Sequence, residues 1–247
     1  MVGYTIEFIL KGDGSDITIF LPTPIVIPDG KRASLGLKNF STYNNIANVE
    51  KGKNNAFMLK VPGKPFRLFE LPTGAFELDS ICEAIYEFIE EHYPSIKDVR
   101  EKFKLAGSDA TSKCILTFKD DYGIDFNVPN SLCEILGYEK TDKFQGPGRF
   151  IAEKIVMIAT VTQLLFNCNI VEGSYFNSLQ IPLIYNCVID VPAGYRLSRE
   201  LTNISYKRLN TSQISNIHLW ITDEQGRFIN LRKDLLVVTL SLIIEND

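Results

Sequence analysis

The sequence is punctuated by short apolar runs, alternating or continuous, that are interrupted about every ten residues by clusters of Gly, Pro, Asn and Asp. Such spacing leaves no room for long helices and suits strands joined by tight turns. Strands are expected at Tyr4–Leu10, Asp16–Leu21, Arg32–Phe40, Ala56–Val61, Phe66–Leu71, Lys102–Leu105, Lys113–Phe118 and Ile124–Val128. Further on they are expected at Lys154–Ile170, Gln180–Val191, Asn203–Leu209, Asn216–Thr222, Arg227–Leu231 and Leu235–Ile244. The joining segments carry turn chemistry, as in Gly12-Asp13-Gly14, Asp29-Gly30, Asp120 to Gly123 and Asp223 to Gly226, where glycine accepts positive φ.

Two segments depart from this pattern. Leu78, Ile81, Ile85, Phe88 and Ile89 recur at helical spacing opposite Asp79, Glu83, Glu87, Glu90 and Glu91, which predicts an amphipathic helix over Leu78–His92. Ser80 and Glu83 have capping-box spacing, and Pro94 ends the helix. Its acidic face is either simply wet or a docking surface for a basic partner. A shorter helix is expected at Leu132, Ile135 and Leu136, with Ser131 and Glu134 at its start and Gly137 as its C-terminal cap. Helices do not alternate with strands, so parallel βαβ units are excluded and the helices belong to connections covering an open end of a sandwich.

The fold class that follows from the residues is all-β, an antiparallel β-sandwich with two short helices in its connections. A length of 247 residues allows either one large β domain or two small ones. A polar, Gly/Pro-rich stretch at residues 141–150 marks an internal boundary or a long surface loop.

Charge and cysteine usage narrow the function classes. Lysine and arginine number 26 against 30 acidic residues, a formal net charge of -4, which argues against the broad cationic surface of a general nucleic-acid binder. Cys82, Cys114, Cys133, Cys168 and Cys187 are odd in number and never closer than about twenty residues, so neither a disulfide framework nor zinc-type spacing exists. Each lies in an apolar run, which predicts buried reduced thiols made in a reducing compartment. The amino end lacks the basic and continuous apolar regions of a secretory signal, and no stretch reads as a membrane span. Sequons at Asn39, Asn203 and Asn210 therefore carry little weight.

No catalytic constellation emerges. Gly146-Pro147-Gly148 lacks the following helix and third Gly or Lys of a phosphate loop. Asp13 with Asp16, and Asp120 with Asp121, could offer oxygens to calcium but do not continue into a calcium loop. Of two histidines, His92 falls at a helix end and His218 lies in a strand beside Trp220, the only tryptophan. No Gly-x-Ser-x-Gly or His-Glu-x-x-His motif occurs. No enzyme, metal or cofactor is expected, although plentiful carboxylates leave a carboxylate-based hydrolase open.

Several segments, taken together and in order, resemble a known family. They are Leu37 to Ile46, Leu71 to Glu77 leading into a helix, Leu136-Gly137-Tyr138, Asn167 to Asn177, Val191-Pro192-Ala193-Gly194-Tyr195, and Ile221 to Arg232 followed by a terminal β run. The resemblance is to small capsid proteins of Polinton (Maverick) elements and adinto-like viruses. Ala193, where Pro is expected, and Lys233-Asp234, in place of a more acidic stretch, depart from that pattern. The resemblance implies a minor capsid, or penton, protein: one elaborated single jelly roll spanning 1–247, with insertions and two short helices in connections, assembling as a homopentamer at the vertices of an icosahedral shell whose faces are filled by a double jelly-roll major capsid protein. It implies residence in the virion and no specific nucleic-acid partner.

A ring-closing interface needs apolar residues outside the core. Tyr43, Phe144, Phe150, Tyr175 and Phe176 are the candidates for subunit contacts, each with core or loop packing as the alternative reading. The competing function is a β-sandwich binding module, lectin-like or receptor-binding.

Overall fold

The computed structural model describes residues 4–158, 161–176 and 178–246. In chain order the first elements are β1 (Tyr4–Asp13), β2 (Asp16–Val26), β3 (Lys31–Tyr43), β4 (Ala56–Lys60), β5 (Arg67–Glu70), α1 (Leu78–His92), α2 (Val99–Lys102), β6 (Phe103–Gly107), β7 (Lys113–Phe118), β8 (Gly123–Asp125), α3 (Cys133–Leu136), β9 (Lys143–Gln145) and β10 (Gly148–Ile155). There follow β11 (Gln163–Cys168), β12 (Ser174–Phe176), β13 (Leu179–Ile181), β14 (Leu183–Val188), β15 (Arg196–Glu200), β16 (Lys207–Arg208), β17 (Gln213–Thr222) and β18 (Leu235–Asn246). They fall into two compact units: Met1–Ile46 with Val161–Asp247, and Ala47–Thr160.

The discontinuous unit is an antiparallel sandwich. One sheet has the order β1-β18-β3-β15, with β16 also on β3, and the other has the order β14-β11-β17-β2. Lettering the eight long strands B to I along the chain gives B-I-D-G and C-H-E-F. That order is the jelly roll, two Greek keys folded onto each other. Alternation puts Leu35, Leu37, Phe40, Val238, Leu240 and Leu242 of one sheet, and Leu164, Phe166, Cys168, Ile217, Leu219 and Ile221 of the other, into one shared core.

β18 is central in its sheet and reads as an almost continuous apolar run, since its outer face is covered as well. Thr239 and Ser241 point outward yet are buried. The segment between β15 and β16 crosses there: the Tyr206 hydroxyl meets Ser241 Oγ at 3.1 Å, and Ile204 sits where a Cβ on Gly36 would lie. Only glycine permits that approach. For the same reason the expected strand Asn203–Leu209 shrinks to Lys207–Arg208. Arg227–Leu231, also expected as a strand, is a loop joined to β17 by the single bridge Thr222–Phe228. Lys154–Ile170 divides between β10 and β11, with Ala159 and Thr160 outside the described residues.

Ala47–Thr160 has its own core, built on two sheets, β10-β7-β6 and β5-β4-β8-β9. Helix α1 buries Ile81, Cys82, Ile85, Tyr86 and Ile89 in it and runs against β6. Both expected helices therefore lie in this unit and join its core. The helix starts from Glu77 without a side-chain cap, so Ser80 falls inside the first turn and the expected capping box does not form. Packing of Leu78 over Gly107 sets that earlier start. Gly137 caps α3 at φ +79°, as its position implied. The stretch 141–150 holds β9, a turn at Gly146 and the start of β10, while the boundaries between units fall at residues 46/47 and 160/161.

Candidate interaction surfaces

The outward residues of the jelly roll include several large apolar side chains. Ile9 on β1, Phe20 and Val26 on β2, Val188 on β14, and Tyr195 and Phe228 in loops are all more than half exposed. Sequence reading missed these, because alternation marks two faces without saying which is solvated. Edge strand β2 also carries Pro22 and Pro24, which supply no N–H to a further strand.

The five aromatic candidates separate into two kinds. Tyr43 ends β3 opposite Arg196 and is exposed, beside a shallow depression of about 500 Å3 lined by Ser41, Arg196, Ser198 and Leu235. Arg196 Nε donates to Ser41 Oγ at 2.9 Å, and Arg199 is paired with Asp190. Tyr175 is the most exposed of the set, at 75%, on the β12–β13 hairpin. Phe176, its neighbour, is half-buried and lines a cleft. Phe144 and Phe150, by contrast, stack on each other with centroids 4.7 Å apart, next to Tyr138 and Phe118, and pack against the core of Ala47–Thr160.

That cleft, of about 380 Å3, lies on the outer face of the β14-β11-β17-β2 sheet. Asn167 of β11 and Trp220 of β17 are register partners and both line it. On the other side of Trp220, Asp16 of β2 is the register partner. The His218 ring stacks on the indole at 4.6 Å, and its Nε2 lies 2.9 Å from Asp16 Oδ1. The wall beyond Trp220 is the tight turn after β17. Asp223 Oδ1 accepts the N–H groups of Gln225 and Arg227, and its Oδ2 accepts from Arg227 Nε at 2.6 Å.

Glu224, also on that turn, accepts through Oε1 from the N–H groups of Thr162 and Gln163 at 2.8 Å and from the Thr162 hydroxyl. Partial burial opposes its ionisation, but those hydrogen bonds prevail and hold its carboxyl below the usual range. Asp16 and Asp121 thus act as partners of His218 and Lys60. Among the described residues no group of three or more His, Cys, Asp or Glu is placed to hold a metal ion. The cleft contains a single carboxylate, whereas glycoside hydrolysis uses two. His92 bonds the Phe88 carbonyl at 3.0 Å and stacks on its ring, occupied at the helix end. No helix among the described residues is long and apolar enough to cross a membrane.

Strand order defines the class: a jelly-roll protein with a folded insertion in the connection from β3 to β11, the D and E strands. No protein-family model and no curated protein matches the chain. Among solved structures, the crystal structure of SeMet-labelled mavirus penton protein is similar to it, with a TM-score of 0.49 and 10% identity over 98% of this chain and 99% of that one.

Proposed function

We propose that this chain is a structural capsid protein, a penton-type vertex component that assembles as a homopentamer in an icosahedral shell beside a double jelly-roll major capsid protein. The observation that carries the reading is the B-I-D-G and C-H-E-F strand order. It is the architecture implied by the sequence resemblance to Polinton and adinto-like capsid proteins, and it is a fold that leaves lateral surfaces free for self-association.

Two further features support it. Exposed apolar side chains lie on sheet faces and loops of the roll, Tyr43 and Tyr175 among them, and these two are the proposed subunit contacts. Both histidines, and Glu224 through its Oε1, are engaged by structural partners: His92 by Phe88, His218 by Asp16 and Glu224 by Thr162. Residence in the virion follows from this role. All five cysteines are free and buried, which suits a chain made in a reducing compartment.

Size-exclusion chromatography with light scattering tests the proposal. Five copies of the 27.9 kDa chain give a ring of about 140 kDa. A chain that stays monomeric at high concentration and does not join shells when co-expressed with a major capsid protein overturns it.

A further inference from the structure

We infer that the cleft between β11, β17 and the β12–β13 hairpin binds a sugar ring. This inference stands apart from the capsid reading and rests only on the cleft.

Leu165, Asn167 and Thr222 point out of the sheet, where a sandwich normally meets water, yet they are only 1%, 3% and 6% exposed. The floor is therefore enclosed and built of paired side chains. Asn167 Nδ2 donates to the Leu165 carbonyl at 3.0 Å and to Thr222 Oγ1 at 3.3 Å. Its Oδ1 accepts no hydrogen bond from the described residues, although the side chain is almost wholly buried. A second acceptor lies within the wall. While Glu224 Oε1 takes the donors of Thr162 and Gln163, Oε2 is buried without a partner. Leaving such groups unpaired is unfavourable, so an occupant that brings donors is selected over one that does not.

Phe176, Ile181, Pro182 and the indole of Trp220 supply apolar wall, and Gln225 with Gly226 completes the rim. His218 covers one indole face and does not line the cleft, which leaves the other face for an occupant. The occupant must therefore lay a flat, carbon-rich face on an aromatic ring and direct a donor from its edge to Asn167 Oδ1, which lies in the floor. A pyranose does both, with C–H groups on its face and hydroxyls around its rim. A pure hydrophobe would leave Asn167 Oδ1 unpaired. An organic cation would meet one carboxylate whose Oε1 is already saturated and whose Oε2 is buried. A volume of about 380 Å3 suits one or two sugar rings.

Trp220 is the only tryptophan, so its fluorescence reports the cleft directly. The experiment titrates the full chain with methyl glycosides of glucose, galactose, mannose, fucose and N-acetylglucosamine, followed by tryptophan fluorescence and by saturation-transfer NMR. The expected result is saturable binding of at least one glycoside, with a Kd of about 1–10 mM, as befits a single ring. Binding should weaken at least about tenfold in Asn167→Ala. Phe176→Ala, on the hairpin outside the sandwich core, gives a second variant should Asn167→Ala fail to fold, and its binding should fall as well. Absence of signal for every glycoside, equal binding of an alkyl probe such as cyclohexanol, or undiminished binding in folded Asn167→Ala or Phe176→Ala overturns the inference.

Discussion

Phe40 on β3 and Phe166 on β11 meet across the two sheets of the jelly roll, with ring centroids 4.7 Å apart and planes tilted by 48°. Both are almost fully buried, and Tyr185 packs against each. The pair joins two strands with the whole of Ala47–Thr160 between them in sequence. Phe166→Ala is expected to cost about 3–5 kcal/mol, the sum of lost burial and an unfilled cavity. Urea unfolding followed by fluorescence measures this in the roll itself, because Trp220 lies there.

Gly36 and Ile204 form a second testable pair. A methyl group at position 36 falls on the Ile204 side chain, so Gly36→Ala should destabilise by about 1–3 kcal/mol. Shortening the obstacle relieves the collision. Ile204→Ala in the Gly36→Ala background should recover part of the loss, with a coupling of about 0.5–3 kcal/mol in a double-mutant cycle.

The thiols should be silent in the native protein. Burial pushes Cys114 up to about 12 and Cys168 to about 11, and raises Cys82 and Cys187 in the same direction. A thiol that stays protonated and out of reach does not react. Alkylation near pH 8, read by intact mass, should add nothing to the folded chain and five labels after denaturation.

Acid should weaken both units. Glu224 has its carboxyl held below the ordinary 4.5, and the hydrogen bond from Lys143 holds Asp125 below 3.8. A depressed folded value contributes stability that is fully present above the ordinary value and is lost as pH falls through the folded one. Tm is therefore expected to be flat with respect to these groups from pH 7 to pH 5 and to fall below about pH 4. Asp125→Asn should lower Tm at pH 7 and flatten that acid fall.

Substitutions at the exposed aromatics distinguish assembly from packing. Tyr43→Asp and Tyr175→Asp should lower self-association at least about tenfold with little change in Tm. Phe144→Ala and Phe150→Ala should instead lower Tm, since their rings stack within a core. Light scattering and thermal melts on the same samples separate the two outcomes.

Local structure was readable from the chain where it depends on nearby residues. The α1 bounds follow from the spacing of Leu78, Ile81, Ile85 and Ile89, and the cap at Gly137 from its place after Leu136. Strand order was not readable from periodicity, because β18 pairs with β1 and β3, more than 190 residues away. The insertion was hidden for a related reason: both units are β-rich, and the Gly/Pro-rich stretch read as a boundary or a long surface loop holds a turn between β9 and β10. Likewise Asn167 and Trp220 have no sequence signal linking them. Only the register of β11 with β17 makes them neighbours.

The central place of β18 dictates an order of events during synthesis. Until residues 235–246 emerge from the ribosome, β1 and β3 lack the strand that lies between them, and half of the roll is an open template. Ala47–Thr160, continuous in sequence and with its own core, is complete much earlier. The nascent chain thus carries a finished domain in its middle while its first strands wait for its last, a window in which a chaperone, or the wrong neighbouring chain, competes for the same edges.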